Sequence, residues 1–225
     1  THMYHFGPNS YVAGDLTIHK KGNGKPDVNG GEQPMEIYAV DQTYTYDGTP
    51  KGNFGVNMPN TNNSLATAIE LVPGHTLSSI TLTGSQRTSS GTYTGAIVPS
   101  GARILDANNN DVTANYRIEA GTSYRKGSLT IQPKGNGKDD GNGGEEPLEI
   151  TAASQTYEYT GGPQGRFGDD LAVDTANPLA TAIALVTGDR IARISLAGEQ
   201  KTATGTYNDA ITPSKVQIVN ESGTD

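Results

Sequence analysis

The chain has 225 residues, of which 33% are hydrophobic and 6% aromatic, with 29 glycines and neither Trp nor Cys. Its formal net charge of −8 argues against nucleic-acid binding, which requires clustered Lys and Arg. The lack of Cys excludes disulfides, thiolate metal sites and a Cys nucleophile, and the lack of a long apolar run predicts no membrane insertion.

The first 34 residues are predicted to hold the end of one repeat and a Gly-rich linker. Residues 4–25 (YHFGPNSYVAGDLTIHKKGNGK) match residues 116–138 (YRIEAGTSYRKGSLTIQPKGNGK) with one residue fewer. We therefore interpret residues 1–18 as the closing hairpin of a preceding repeat, after an opening THM that looks like a cloning remnant. Residues 19–34 carry no hydrophobic face and end in Pro, so we expect a linker or a long exposed loop.

The central part of the chain repeats itself. Residues 35–55 (MEIYAVDQTYTYDGTPKGNFG) return as residues 148–168 (LEITAASQTYEYTGGPQGRFG), which gives a period of 148 − 35 = 113 residues. The LATAI segment returns after 179 − 65 = 114 residues. A repeat this long is a whole domain and not one turn of a solenoid. The sequence therefore predicts two domains in tandem.

Each repeat has the pattern of short strands separated by turns. Six segments of the first repeat are rich in β-branched and aromatic residues: IYAVDQTYTY (37–46), SSITLTGS (78–85), GTYTGAIV (91–98), ARILDA (102–107), TANYRIE (113–119) and GSLTIQ (127–132). LATAIELV and LATAIALV fit a short strand and a single helical turn equally well. DANNND (106–111) is predicted to be a turn between antiparallel strands. These features predict an all-β fold of tandem immunoglobulin-like β-sandwich domains.

These segments also carry a family resemblance. QTYTYDGTPKG (42–52), GSQRTSSGTYTGAI (84–97) and the closing ILDANNNDVTANYRIEAG (104–121) with GSLTIQP (127–133) resemble the MBG and YDG-type repeats of large bacterial surface adhesins. The resemblance covers nearly the whole repeat. It implies an extracellular, wall-attached protein in which strings of such domains lie between a ligand-binding head and an anchor. Some similar arrays bind mucin glycans, matrix proteins or immunoglobulins.

Two sets of domain boundaries fit the repeat. The first comprises a closing hairpin (1–18), linkers (19–34 and 132–147), a complete repeat (35–131) and a second repeat without its closing hairpin (148–225). In the second set each closing hairpin packs on the body that follows, which gives domains 1–111 and 112–225. A third hypothesis is that the front hairpin of one molecule completes the second repeat of another by strand exchange, building head-to-tail chains.

Four tyrosines are the candidate ligand-binding residues. Most aromatic residues recur at matching positions in the two copies, which favours a packing role for them. Tyr44 and Tyr46, with their counterparts Tyr157 and Tyr159, are spaced by two residues and would share one face of a strand. Such a face could stack against a sugar.

The acidic residues give no sign of catalysis. Four carboxylates of the first copy are replaced in the second: Asp41 by Ser154, Asp47 by Thr160, Glu70 by Ala184 and Asp106 by Asn220. No acid and base pair therefore survives in both copies. The oxygen-rich DANNND segment fits a solvated Asx turn better than an EF-hand calcium loop. We expect no catalytic residue, no cofactor and no metal.

The sequence therefore predicts non-enzymatic repeat modules on a bacterial cell surface. We expect extracellular modules that contact flanking repeats of the same protein and bind a host protein, such as an immunoglobulin, or a mucin glycan. The alternative is a structural stalk that spaces a binding head from the cell-wall anchor.

Overall fold

The structure is a computed structural model that describes residues 3–5, 7–176 and 178–224. Thr1, His2 and Asp225, which the predicted domain boundaries include, lie outside these residues. Strands make up 38% of the chain and helices 3%, so the fold is nearly all-β with several sheets, consistent with a β-sandwich. No helix among the described residues is long and apolar enough to cross a bilayer.

Contacts divide the chain into two compact units. The first comprises Thr1–Gln42, Gly52–Ser85 and Tyr93–Leu129. The second comprises Thr43–Lys51, Gln86–Thr92 and Thr130–Asp225. The predicted domain boundaries remain a prediction.

The first repeat contains eight strands in the described residues. They are β1 Ile37–Ala39, β2 Gln42–Thr45, β3 Gly55–Pro59, β4 Ala66–Ala68, β5 Thr76–Thr83, β6 Gly91–Leu105, β7 Tyr124–Arg125 and β8 Gly127–Gln132. One sheet has the order β2-β8-β6-β5-β3 and the other the order β4-β1-β7. β1 pairs antiparallel with β4 and parallel with β7. The last strand of the repeat, β8, thus lies inside its sheet between two earlier strands.

The second repeat contains five strands among its described residues. They are β9 Ile150–Ala152, β10 Gly168–Ala172, β11 Ala180–Ala182, β12 Arg190–Ala197 and β13 Thr212–Val219. β9 and β11 pair as β1 and β4 do, and β10-β12-β13 follows the order of β3-β5-β6. Tyr157 and Tyr207, the counterparts of residues in β2 and in the first half of β6, do not lie in strands.

The core differs between the two repeats. Nine large hydrophobic side chains of the first repeat are at most 1% exposed: Met35, Ile37, Leu77, Ile80, Leu82, Ile97, Ile104, Leu129 and Ile131. The second repeat has a smaller buried cluster of Leu179, Ala180, Ile191, Ile194 and Leu196. Ile150 and Ile211, the counterparts of Ile37 and Ile97, are only partly buried.

The Gly-rich segments fold as hydrogen-bonded hairpins, although the sequence predicted linkers or exposed loops. In the first, the Asn23 amide donates to the Gln33 carbonyl at 3.0 Å, and the Gln33 amide to the Lys25 carbonyl at 2.8 Å. In the second, the Asn136 amide donates to the Glu146 carbonyl at 3.0 Å, and the Glu146 amide to the Lys138 carbonyl at 2.8 Å. Backbone hydrogen bonds therefore hold these segments in place, although the segments have no hydrophobic face to bury.

Other predicted elements differ in detail. The LATAI segments form strands, β4 and β11, and not helical turns. GTYTGAIV and ARILDA join into the single strand β6, whereas TANYRIE contains a 3₁₀ turn at Thr113–Asn115 and no strand. β3 and β10 were missed, because GVNMP and GDDLA lack a run of β-branched residues.

The front hairpin predicted for residues 1–18 forms no strand among its described residues. Leu16 is 88% exposed and Ile18 86% exposed, whereas their counterparts Leu129 and Ile131 in β8 are 0% and 1% exposed. The same sequence pattern is therefore buried once and exposed once in this chain.

Truncation of Leu129 should destabilise the protein far more than the same truncation at its exposed counterpart. We expect Leu129→Ala to lower the free energy of unfolding by about 2–5 kcal/mol, because it leaves a cavity in the core. Leu16→Ala in dilute solution should change it by no more than about 0.5 kcal/mol. Urea denaturation of both variants checks this. Equal losses would show that Leu129 is not a core residue.

Candidate functional site

The four candidate tyrosines lie in two different settings. In the first repeat, Tyr44 and Tyr46 are partly buried, and the Tyr46 amide donates to the Gln132 carbonyl at 2.8 Å. The Lys51 ammonium lies 5.9 Å from the centroid of the Tyr44 ring. A cation at that position covers one ring face, which reduces the area open to a sugar.

In the second repeat the matching tyrosines are open. Tyr157 is 47% exposed and Tyr159 68% exposed. The Tyr157 hydroxyl donates to the Gln155 side-chain carbonyl at 2.8 Å, two residues before it on the chain. This pair is therefore more exposed than the first pair, although both pairs have the same spacing of two residues.

Tyr157 and Tyr159 line a cleft of about 1100 Å³ in the second repeat. Its other walls include Ile150, Tyr207 and Ile211. The lining runs along residues 149–159 and 201–211, which match β1, β2 and the first half of β6 in the first repeat. No local sequence pattern predicts this cleft, because its shape depends on how strands that are distant in the chain pack together.

A glutamine clamp recurs in both repeats. The Gln42 side chain donates to the Asn53 carbonyl at 3.1 Å and accepts from the Asn53 amide at 2.7 Å. Gln155 makes the same two bonds with Arg166, at 3.1 and 2.8 Å. Both glutamines belong to the repeated QTY segment, and this recurrence was the only sign of them in the sequence. Their partners could not be predicted, because a side chain that binds backbone atoms does not require a particular residue type at the partner position.

An aromatic contact also recurs. The Phe54 ring packs against Gly84, where an added Cβ would collide with the ring and with the Ala96 carbonyl. Phe167 packs in the same way against Gly198. These glycines are needed for close approach of ring and backbone, so the matched phenylalanines serve packing.

Each Gly-rich hairpin is closed by a matched Glu. The Glu32 carboxylate binds the Lys21 ammonium at 2.9 and 3.0 Å and accepts from the amides of Gly22 and Gly24 at 2.8 and 3.1 Å. The hydrogen bond from Lys21, followed by those from the two glycine amides, lowers the pKa of Glu32. This cluster of Glu, Lys and two Gly amides is called the glutamate cradle below.

The second repeat reproduces the glutamate cradle. Glu145 binds the Lys134 ammonium at 2.7 and 2.9 Å and the amides of Gly135 and Gly137 at 2.9 and 3.0 Å. Lys134 is the first cause of the lowered pKa of Glu145. Glu32 and Glu145 occupy matching positions in the two repeats, and each accepts hydrogen bonds from two glycine amides of its own hairpin.

The DANNND segment is a turn held by its own first residue. The Asp106 carboxylate accepts from the amides of Asn108 and Asn110 at 2.9 and 2.8 Å and from the Asn110 side chain at 3.0 Å. In the second copy the side-chain oxygen of Asn220 accepts from the Thr224 amide at 3.0 Å. The turn therefore keeps its bonding when Asp becomes Asn, and the described residues contain no cluster of three metal-binding side chains.

Many acidic residues act as anions in turns and ion pairs. Hydrogen bonds from amides, hydroxyls and cations lower the pKa of eight carboxyl groups: Asp27, Glu32, Asp47, Asp106, Asp111, Glu119, Glu145 and Asp169. A general acid needs a raised pKa to hold its proton near neutral pH. These eight carboxylates instead accept hydrogen bonds.

Comparisons of the chain with protein-family models, with curated proteins and with solved structures found no match.

The glutamate cradle should be sensitive to acid. A carboxyl with a lowered pKa stabilises the fold fully above its unfolded value, near 4.5, and loses this contribution as the pH falls through its folded pKa. We expect the amide NMR signals of Gly22 and Gly24 to shift at a midpoint below pH 4.5.

The two copies provide the control for this titration. In Glu32→Gln the acceptor oxygen stays but the charge is lost, so the titration of Gly22 and Gly24 should disappear. The signals of Gly135 and Gly137 should titrate as before, because Glu145 is unchanged. Persistence of the Gly22 and Gly24 titration in the variant would contradict the assignment.

Proposed function

We propose that this chain is a pair of tandem immunoglobulin-like modules of the MBG/YDG type from a bacterial surface adhesin. The modules act outside the cell, at the cell wall, in adhesion to a host macromolecule. The observation that supports this most is that residues shared by the two repeats serve the framework of the fold. The glutamate cradle, the glutamine clamp and the phenylalanine contact are the examples.

The immunoglobulin-like part of the proposal has its own support. The first repeat combines a sheet of five strands with a sheet of three, and β1 with β4, β3 with β5 and β5 with β6 pair antiparallel. Two such sheets with short strands are the architecture of immunoglobulin-like sandwiches. The family resemblance of the closing segment agrees with this fold.

Exposed residues differ between the two repeats, which favours a stalk over a binding surface shared by both copies. Residues 87–90 (RTSS) become residues 201–204 (KTAT), and the exposed Glu70 becomes Ala184 at nearly the same positive φ, 60° against 61°. The backbone is thus retained while the surface changes. If the modules do bind a host protein such as an immunoglobulin, or a mucin glycan, the contact would be made by loops or a strand edge.

The proposal is non-enzymatic. Its support is that carboxylates with a lowered pKa are held as anions by backbone amides and polar side chains, as at Glu32 and Asp106. Neither of these two groups is set up to donate a proton near neutral pH.

A structural stalk is the second candidate. It is favoured by the Lys51 ammonium over the Tyr44 ring and by the partial burial of that tyrosine, which suit a packing role better than a sugar platform. In a stalk the repeats would set distance from the cell wall and bind nothing.

Capture experiments distinguish the two candidates. The chain is passed over immobilised immunoglobulin, mucin and matrix proteins, and we expect retention by one of these classes that free ligand of that class competes away. Passage through all three columns without retention would favour the stalk.

A matched pair of variants tests the tyrosines separately. If mucin retains the chain by sugar stacking, Tyr157→Ala with Tyr159→Ala should reduce retention about tenfold, since each stacked ring contributes about 0.5–1.5 kcal/mol and about 1.4 kcal/mol corresponds to a factor of ten. Tyr4→Ala removes a ring that is 80% exposed in the front segment and should have no effect. Equal loss in both variants would contradict a sugar platform at Tyr157 and Tyr159.

A further inference from the structure

Four Asn-Gly steps occur in the chain, two in each Gly-rich hairpin. Asn23–Gly24 and Asn29–Gly30 lie in the first hairpin, and Asn136–Gly137 and Asn142–Gly143 lie in the second. The backbone is alike at all four steps, because each Gly has a positive φ, 79° and 82° in the first hairpin and 85° and 84° in the second. The hydrogen bonds around the four steps are not alike.

The earlier step of the first hairpin is held by hydrogen bonds on both residues. The Asn23 side-chain oxygen accepts from the Lys25 amide at 3.0 Å. The Gly24 amide donates to the Glu32 carboxylate of the glutamate cradle at 3.1 Å. Asn23 is also only 7% exposed. Neither the side chain nor the following amide is therefore free to react with the other.

The earlier step of the second hairpin is held in the same way. The Asn136 side-chain oxygen accepts from the Lys138 amide at 2.9 Å, and its side-chain nitrogen donates to the Glu146 carboxylate at 3.1 Å. The Gly137 amide donates to the Glu145 carboxylate at 3.0 Å. The glutamate cradle thus binds the amide that follows an Asn in both copies.

The later step of each hairpin lies at its tip and is open. The side chains of Asn29 and Asn142 are exposed and make no hydrogen bond with the described residues. Only their backbone amides are bonded, each to the Asp two residues earlier, at 2.8 and 2.7 Å. No side chain among the described residues binds the amides of Gly30 or Gly143, and a Cβ added at either glycine would have nothing within 4 Å.

An Asn-Gly step can cyclise without an enzyme. The Gly backbone nitrogen loses its proton and attacks the side-chain carbonyl carbon of Asn, and a new C–N bond closes a succinimide ring. The side-chain nitrogen takes up a proton and leaves as ammonia. Water then opens the ring at either carbonyl, which gives aspartate or isoaspartate. Gly favours this reaction because it has no side chain to hinder the attack.

We propose that Asn29 and Asn142 are sites of spontaneous deamidation, and that the glutamate cradle protects Asn23 and Asn136 from the same reaction. The Glu carboxylate binds the proton that the attacking amide must lose, and its charge opposes the negative charge that this loss creates. The hydrogen bond on the Asn side-chain oxygen must also break before the ring can close. The two hairpin tips have neither restraint.

Reaction at Asn29 would change how the first hairpin is tied to its repeat. The Asp27 carboxylate accepts from the amides of Asn29 and Gly31 at 2.8 and 3.0 Å and pairs with the Arg117 guanidinium. Isoaspartate adds a methylene to the main chain, which displaces the Gly31 amide from Asp27. The new carboxylate also places a second negative charge beside Asp27. Modification at this tip therefore loosens the group that binds Arg117.

The first experiment compares the four sites within one unchanged molecule. The folded chain is incubated in mildly alkaline buffer and digested, and fragmentation in a mass spectrometer assigns the replacement of NH₂ by OH to each Asn. We expect Asn29 and Asn142 to react at least about tenfold faster than Asn23 and Asn136, because a charge-assisted hydrogen bond must break at the protected sites. In guanidinium chloride the four rates should become similar, since each site is Asn followed by Gly.

The second experiment changes one cradle and keeps the other as the control. Glu32→Gln keeps an acceptor oxygen for the Gly24 amide but loses the charge, and Glu32→Ala loses both. We expect Asn23 to react faster in Glu32→Gln and faster still in Glu32→Ala, whereas Asn136 keeps its rate. Protection of the Gln33 amide from hydrogen exchange shows that the hairpin of a variant is still folded, because this amide donates across the hairpin.

Three results would overturn the inference. One is reaction of Asn23 or Asn136 as fast as that of the tips in the folded chain. Another is a difference between the four sites that persists in guanidinium chloride, because the local sequence would then cause it. The third is an unchanged rate at Asn23 in both variants of Glu32.

Discussion

The structure of the first repeat depends on its last strand, which pairs between two strands that precede it in the chain. β8, Gly127–Gln132, is the last strand of the first repeat, yet it lies between β2 and β6. Its Leu129 and Ile131 side chains are fully buried. The other large buried residues of this repeat precede β8 in the sequence. The core closes only when this strand is in place, because both neighbours need it to satisfy their edges.

The composition makes the repeat especially dependent on such a strand. Only 33% of residues are hydrophobic, so the apolar area that can be buried is small. Hydrogen bonds from side chains to the backbone add fixed points: the Gln42 clamp, the Glu32 cradle and the Asp106 turn each bind two or more backbone amides or carbonyls. Among them the Glu32 cradle lies in a Gly-rich segment, where its hydrogen bonds to Gly22 and Gly24 fix a hairpin that has no hydrophobic face.

Sequence periodicity predicted several of the strands, missed β3 and β10, and did not indicate what fixes the loops. β5 and β8 follow from runs of β-branched residues, as does the all-β class. The Gly-rich hairpins were predicted as linkers, because a single Glu eleven residues from its Lys has no periodicity to detect. The immunoglobulin-like fold and the four candidate tyrosines remain predictions. The surroundings of Tyr44 and Tyr46 depend on the position of β8, which is far away in the chain and is not encoded by a local pattern.

The matched tyrosines have different surroundings in the two repeats. Tyr157 and Tyr159 are exposed beside the open cleft, whereas Tyr44 and Tyr46 are partly buried where β8 is present. In the first repeat the neighbouring strand and the Lys51 ammonium cover part of the tyrosine pair, so the packing of the sheet sets how much of each ring is exposed. Identical spacing in the sequence therefore does not give the two pairs identical exposure, because strands far away in the chain decide it.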